Sequence, residues 1–111
     1  MQAAVWRWGP VVAWAALIFA LSSIPDLGTG LGGWDVALRK VAHAVEFGIL
    51  AALLVRALRN PWWAIALGIA YALSDEIHQS FVPGRQGAFL DFAIDSVGVV
   101  AGAILAARRW G

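Results

Sequence analysis

Residues 62–82 read WWAIALGIAYALSDEIHQSFV, and the order of apolar and charged positions within them decides the fold. No charge appears from Trp62 to Ser74; then Asp75, Glu76 and His78 arrive together, shortly before Pro83-Gly84. A helix that crosses a bilayer needs about 20 mainly apolar residues to pass about 30 Å of hydrocarbon. The stretch has that length, opens on two tryptophans suited to an interface, and keeps its acids at one end.

The same reading extends outward to three further segments. Trp8–Ile24 is uncharged and runs into Ser22-Ser23-Ile24-Pro25. Val36–Leu58 is apolar apart from Arg39, Lys40, His43, Glu46 and Arg56, and Phe89–Ala107 contains Asp91 and Asp95 before Arg108-Arg109. The expected fold is therefore all-α: an integral membrane four-helix bundle with helices near 8–24, 36–58, 62–82 and 89–107. These spans form a single domain over 1–111 and leave no room for a soluble one. A glycine-rich loop over 26–33, Asn60-Pro61 and the cluster Pro83–Gly87 supply the connections, with Pro61 at a helix start where its missing N–H costs nothing. A cleaved signal peptide is the alternative for the first segment, since Arg7 precedes its apolar run.

Composition agrees. Of 111 residues, 61% are apolar and 14% charged, against about 45–50% and about 25% in soluble domains. Disorder is excluded, because so much apolar surface must be buried, and a chain this small cannot hide it within itself. Eight basic and seven acidic residues give a net charge of +1, which is no footprint for nucleic acid. Cysteine is absent, so disulfides, thiolate metal sites and cysteine nucleophiles are absent too.

Orientation follows from the loop cations. Arg7, Arg56, Arg59, Arg108 and Arg109 fall on one side, with Trp6, Trp8, Trp62, Trp63 and Trp110 at the same level; Arg39, Lys40 and Arg85 fall on the other. Both termini are thus expected in the cytoplasm of a multi-pass protein of the cell membrane. Charges at bilayer depth cost about 2.5–3.5 kcal/mol each on insertion scales and are functional candidates by default. On this topology Lys40, His43 and Glu46 begin the second span, Asp75, Glu76, His78 and Gln79 end the third, and Asp91 and Asp95 begin the fourth. All meet at the extracytoplasmic end, with Arg85 in the loop above them. Spacings of three and four keep Lys40, His43 and Glu46 on neighbouring faces, and align Asp75 with Gln79 and Asp91 with Asp95. Gly98-x-x-x-Gly102 continues the last stripe and invites close helix approach.

These residues resemble a known family. Lys40-x-x-His43-x-x-Glu46-Phe47, Asp75-Glu76-Ile77-His78-Gln79-x-Phe81-Val82-Pro83-Gly84-Arg85 and Asp91-x-x-x-Asp95-x-x-Gly98-x-x-x-Gly102 are similar to the VanZ-like bacterial membrane proteins, as is Ser22-Ser23-x-Pro25. The family pattern takes Asp or Asn at position 95. The resemblance implies a compact helical membrane domain associated with resistance to glycopeptides such as teicoplanin, and no settled reaction.

Three functions fit the residues. As an enzyme, His43, Glu46, Asp75 and Glu76 are the candidate catalytic groups, acting on a lipid-linked envelope precursor by acid–base chemistry or through a divalent metal such as Zn, Mn or Mg. The spacing names no metal, since no His-Glu-x-x-His is present. As a binding or transport protein, Lys40, His78, Gln79, Arg85, Asp91 and Asp95 would recognise a lipid headgroup, cell-wall fragment or glycopeptide. As a structural bundle, the same charges would be interhelical ion pairs. Membrane lipids are the expected surroundings, and a homo-oligomer is compatible with four short helices.

Overall fold

The computed structural model describes residues 2–22, 33–81 and 89–110. The loop expected before Gly33 and the turn expected over 83–87, Arg85 included, lie outside the described residues. Four helices follow in order: α1 (Gln2–Ser22), α2 (Gly33–Leu58), α3 (Pro61–Gln79) and α4 (Phe89–Trp110). No strand occurs among the described residues, so the all-α expectation holds. Among the described residues, two stretches, Ala3–Leu21 and Lys40–Leu58, are by themselves long and apolar enough to cross a membrane. In α3 and α4 the acidic pairs Asp75-Glu76 and Asp91/Asp95 dilute the apolar run.

The helix ends differ from the expected ones for identifiable reasons. α1 starts six residues before Trp8 and carries Pro10 within it. Arg7 is no boundary, because its Nε donates to the Ala57 carbonyl at 2.9 Å and its Nη2 donates to the same oxygen. That oxygen is among the last carbonyls of α2, which lack intrahelical donors and favour a cation. α3 stops at Gln79, short of 82, where Ser80 caps it by donating from Oγ to the Ile77 carbonyl at 2.6 Å. α4 runs on to Trp110 through Arg108 and Arg109, whose charges suit a helix C-terminus.

The α2–α3 corner is short. Arg59 adopts φ 57° while its N–H still bonds the Val55 carbonyl at 2.7 Å. Asn60 then caps α3, its Oδ1 accepting from the N–H groups of Trp62 at 2.9 Å and Trp63 at 3.3 Å. Such a cap contributes about 1 kcal/mol, and Pro61 fills the first helical position as expected. The left-handed conformation at Arg59 favours glycine. Arg59→Gly is expected to raise stability in detergent by about 0.5–1 kcal/mol, the strain relieved less the chain entropy that glycine adds. Unfolding at a lower temperature than the parent would contradict this.

α2 is the central helix, touching the other three, and its parallel contact with α4 is the most extensive in the molecule. Small residues make that contact possible. A Cβ on Gly98 would strike the main chain of Ala44, and one on Gly102 the main chain of Gly48. α3 runs antiparallel to α4, with Ala64, Gly68 and Ala72 buried along one stripe; a Cβ on Gly68 would lie 2.7 Å from Val99 Cγ1. Ile18, Phe47, Leu50, Val55 and Val99 fill the core. α1 packs on α2 and α3 and makes no contact with α4 among the described residues. Besides Arg7, it is fastened by Trp14 Nε1, which donates to the Glu46 carbonyl at 2.9 Å. The Tyr71 hydroxyl in turn donates to the Ala15 carbonyl at 2.5 Å.

This up-and-down arrangement puts the exposed Trp6, Trp8, Trp62 and Trp63 at the same end as Arg7, Arg56 and Arg59. The opposite end receives the acids and histidines.

Candidate functional site

Three helices build the polar end, each for a local reason. On α2, steps of three carry Lys40, His43 and Glu46 around to the side facing α3 and α4. On α3, the small stripe Ala64-Gly68-Ala72 lets the helix lie close to α4, so that Asp75, next in phase, is only 2% exposed. On α4, Asp95 lies one turn before the Gly98 contact and is drawn in with it, 4% exposed. His43, Asp75 and Asp95 each place one ligand-capable atom so that the three lie within 4.8 Å of one another.

The remaining candidates surround this trio. Glu46 Oε2 stands 3.8 Å from His43 Nδ1. Lys40 Nζ donates to Asp91 Oδ1 at 2.5 Å, both side chains about one-third exposed (31% and 28%). Glu76 Oε2 and Asp95 Oδ1 are buried with no hydrogen-bond partner among the described residues. His78 turns toward α1, stacking on Phe19 with ring centroids 4.2 Å apart and planes 19° from parallel. Gln79 is the last residue of α3, but its side chain, like Arg85, lies outside the described residues.

The charge balance is lopsided. Glu46, Asp75, Glu76, Asp91 and Asp95 are five carboxylates, and Lys40, the cation described among them, is engaged by Asp91. Two of the five, Asp75 and Asp95, are buried, and buried carboxylates call for protons, hydrogen-bond donors or a cation. The trio supplies imidazole nitrogen and carboxylate oxygen together, a donor set for a borderline divalent ion or for proton transfer.

Two features escaped the reading of the sequence. Ala44 and Gly48 receive Gly98 and Gly102, and the small-x-x-x-small spacing in α2 is the signal that would have found them. Arg7, Trp14 and Tyr71 anchor α1 through main-chain oxygens, for which no spacing gives a sign.

Residues 4–109, all of this architecture except its extreme ends, match the family model described as VanZ/LLP1. The chain belongs to the VanZ/LLP1 family. No curated relative and no solved structure matches it. The VanZ/LLP1 match spans every segment that carried the resemblance, from Ser22-Ser23 through Gly102. In this VanZ/LLP1 chain, Lys40, His43 and Glu46 of α2, Asp75 of α3, and Asp91 and Asp95 of α4 come together at one end of the bundle.

Proposed function

We propose that this VanZ/LLP1 protein is a multi-pass protein of the cell membrane, with both termini cytoplasmic. Its polar end faces outward and binds the hydroxyl- or amine-bearing headgroup of a lipid-linked or cell-envelope ligand. The family's association with glycopeptide resistance fits a ligand of that kind. One observation carries the reading: ionisable groups from three helices, two of them almost fully buried aspartates, converge at one level of an otherwise apolar bundle. Polar groups at such depth face an interior or a water-filled cavity and mark a site.

The membrane placement has independent support. The long axis of 43 Å equals a bilayer with its headgroups, about 40–45 Å. Val12, Val41, Val97 and Leu105 expose apolar faces all around the bundle, which soluble monomers rarely do. The tryptophan and arginine end suits a cytoplasmic interface. α1 is hydrogen-bonded to α2 and α3, which favours a retained helix over a cleaved signal. The ion-pair reading accounts for Lys40–Asp91 but leaves Glu76 Oε2 and Asp95 Oδ1 with no hydrogen-bond partner among the described residues.

Because the chain has no cysteine, single cysteines report orientation without background. In intact cells a membrane-impermeant maleimide is expected to label Phe81→Cys and to spare Ala3→Cys. Expression of the wild type is expected to raise teicoplanin tolerance, and Asp75→Asn, inserted at equal level, to lose that gain. Labelling of Ala3→Cys alone sinks the orientation; full activity of Asp75→Asn sinks the site.

A further inference from the structure

We propose that His43, Asp75 and Asp95 hold a divalent ion of the zinc class. The inference deepens the headgroup-binding reading, since the ion would sit in the same polar end.

Four observations carry it. First, one imidazole and two carboxylates, from three different helices, bring ligand-capable atoms within 4.8 Å of one another. Zinc–nitrogen and zinc–oxygen bonds of about 2.0–2.2 Å put neighbouring ligands of a tetrahedral shell about 3.4 Å apart. Small rotations of the carboxylates and ring close that gap. Second, Asp95 Oδ1 belongs to a side chain 4% exposed and has no hydrogen-bond partner among the described residues. A buried carboxylate oxygen in that condition is costly unless something positive meets it. Third, the charges cancel: two aspartates neutralise a divalent ion while the imidazole stays neutral. Lys40 does not take that role, being held by Asp91 at 2.5 Å. Fourth, Glu46 Oε2, 3.8 Å from the His43 ring, is placed to orient the imidazole, as carboxylates beside metal-bound histidines do.

The donor set selects the class of ion. Magnesium and calcium prefer shells made wholly of oxygen, whereas mixed nitrogen and oxygen ligands suit zinc and its neighbours. Three protein ligands leave a fourth position open, the pattern of sites that bind water or a ligand oxygen rather than purely structural ones. A headgroup hydroxyl or phosphoryl oxygen would fill it.

The test uses the full chain, purified in detergent, stripped with a chelator and titrated calorimetrically with Zn²⁺ alone. The wild type is expected to take up one ion per chain and to unfold at a higher temperature with it. His43→Ala and Asp95→Asn are expected to weaken binding by more than about 100-fold, and Glu46→Gln by about 10-fold, as second-layer changes do. His78→Ala, which alters the other histidine, should bind as the wild type does. Stripped Asp95→Asn is expected to unfold no earlier than the stripped wild type, because the change removes a buried charge; this separates a lost ligand from a lost fold. No zinc uptake by the wild type, or unchanged uptake by both His43→Ala and Asp95→Asn, overturns the proposal. If zinc fails to bind while Asp75→Asn still loses teicoplanin tolerance, the ion is refuted and headgroup binding stands. Zinc uptake without any effect on tolerance refutes headgroup binding and leaves the ion.

Discussion

Gly102→Leu is expected to destroy the bundle, with a loss of about 3 kcal/mol or more, at the upper end for overpacking. The ideal Cβ at this position falls against the carbonyl, carbonyl carbon and Cα of Gly48. Backbone atoms of a central helix cannot swing aside as a side-chain tip can. α2 and α4 must therefore separate, and Asp95 moves away from His43 as they do. The control is Gly9→Leu on α1, where a Cβ meets nothing within 4 Å. Both changes raise helix propensity by about 1 kcal/mol, so propensity cannot produce a difference between them. Thermal unfolding in detergent measures it. Equal melting temperatures for the two variants would mean that α2 and α4 do not approach as described.

The second large effect lies in Lys40. Lys40→Asp should cost about 2 kcal/mol or more: breaking a fully buried pair costs about 3–5 kcal/mol, this pair is part-buried, and the reversal adds like-charge repulsion to the loss. It places a new carboxylate beside Asp91 in a cluster that already contains Glu46, Asp75, Glu76 and Asp95. Pairing it with Asp91→Lys is expected to restore at least half of the loss, because the two side chains face each other across α2 and α4 at 2.5 Å. Lys40→Met, which only removes the cation, should cost less than the reversal. The yield and melting temperature of the four proteins decide the matter. A double variant no better than Lys40→Asp would show that the pair is not the reason Lys40 is needed.

The gathering of the acids and histidines at one end is legible in the sequence. Helices that alternate in direction bring the start of α2, the end of α3 and the start of α4 to one end, so His43, Asp75 and Asp95 had to share a level. Gly98 and Gly102 announced a close contact by spacing alone. Rotation and lateral order were not legible. Helical phase says that Asp75 and Glu76 point about 100° apart, but not which of them faces α4. In the folded protein Asp75 is buried and Glu76 half-buried. Likewise nothing in the spacing spends Lys40 on Asp91 or turns His78 to Phe19, because each depends on which helix lies alongside. The ends of α1 and α4 were missed because the arginines were read as boundaries, while Arg7 serves α2 as a cap from another helix.

The three side chains that fasten α1 share a property with a longer reach. Arg7, Trp14 and Tyr71 address only peptide oxygens, those of Ala57, Glu46 and Ala15. Every amino acid offers that same oxygen. The receiving positions can therefore drift over generations, under steric limits alone, while the three donors cannot. Relatives that keep an arginine, a tryptophan and a tyrosine at these places can replace much of the surrounding apolar surface, and the first helix will still find its seat.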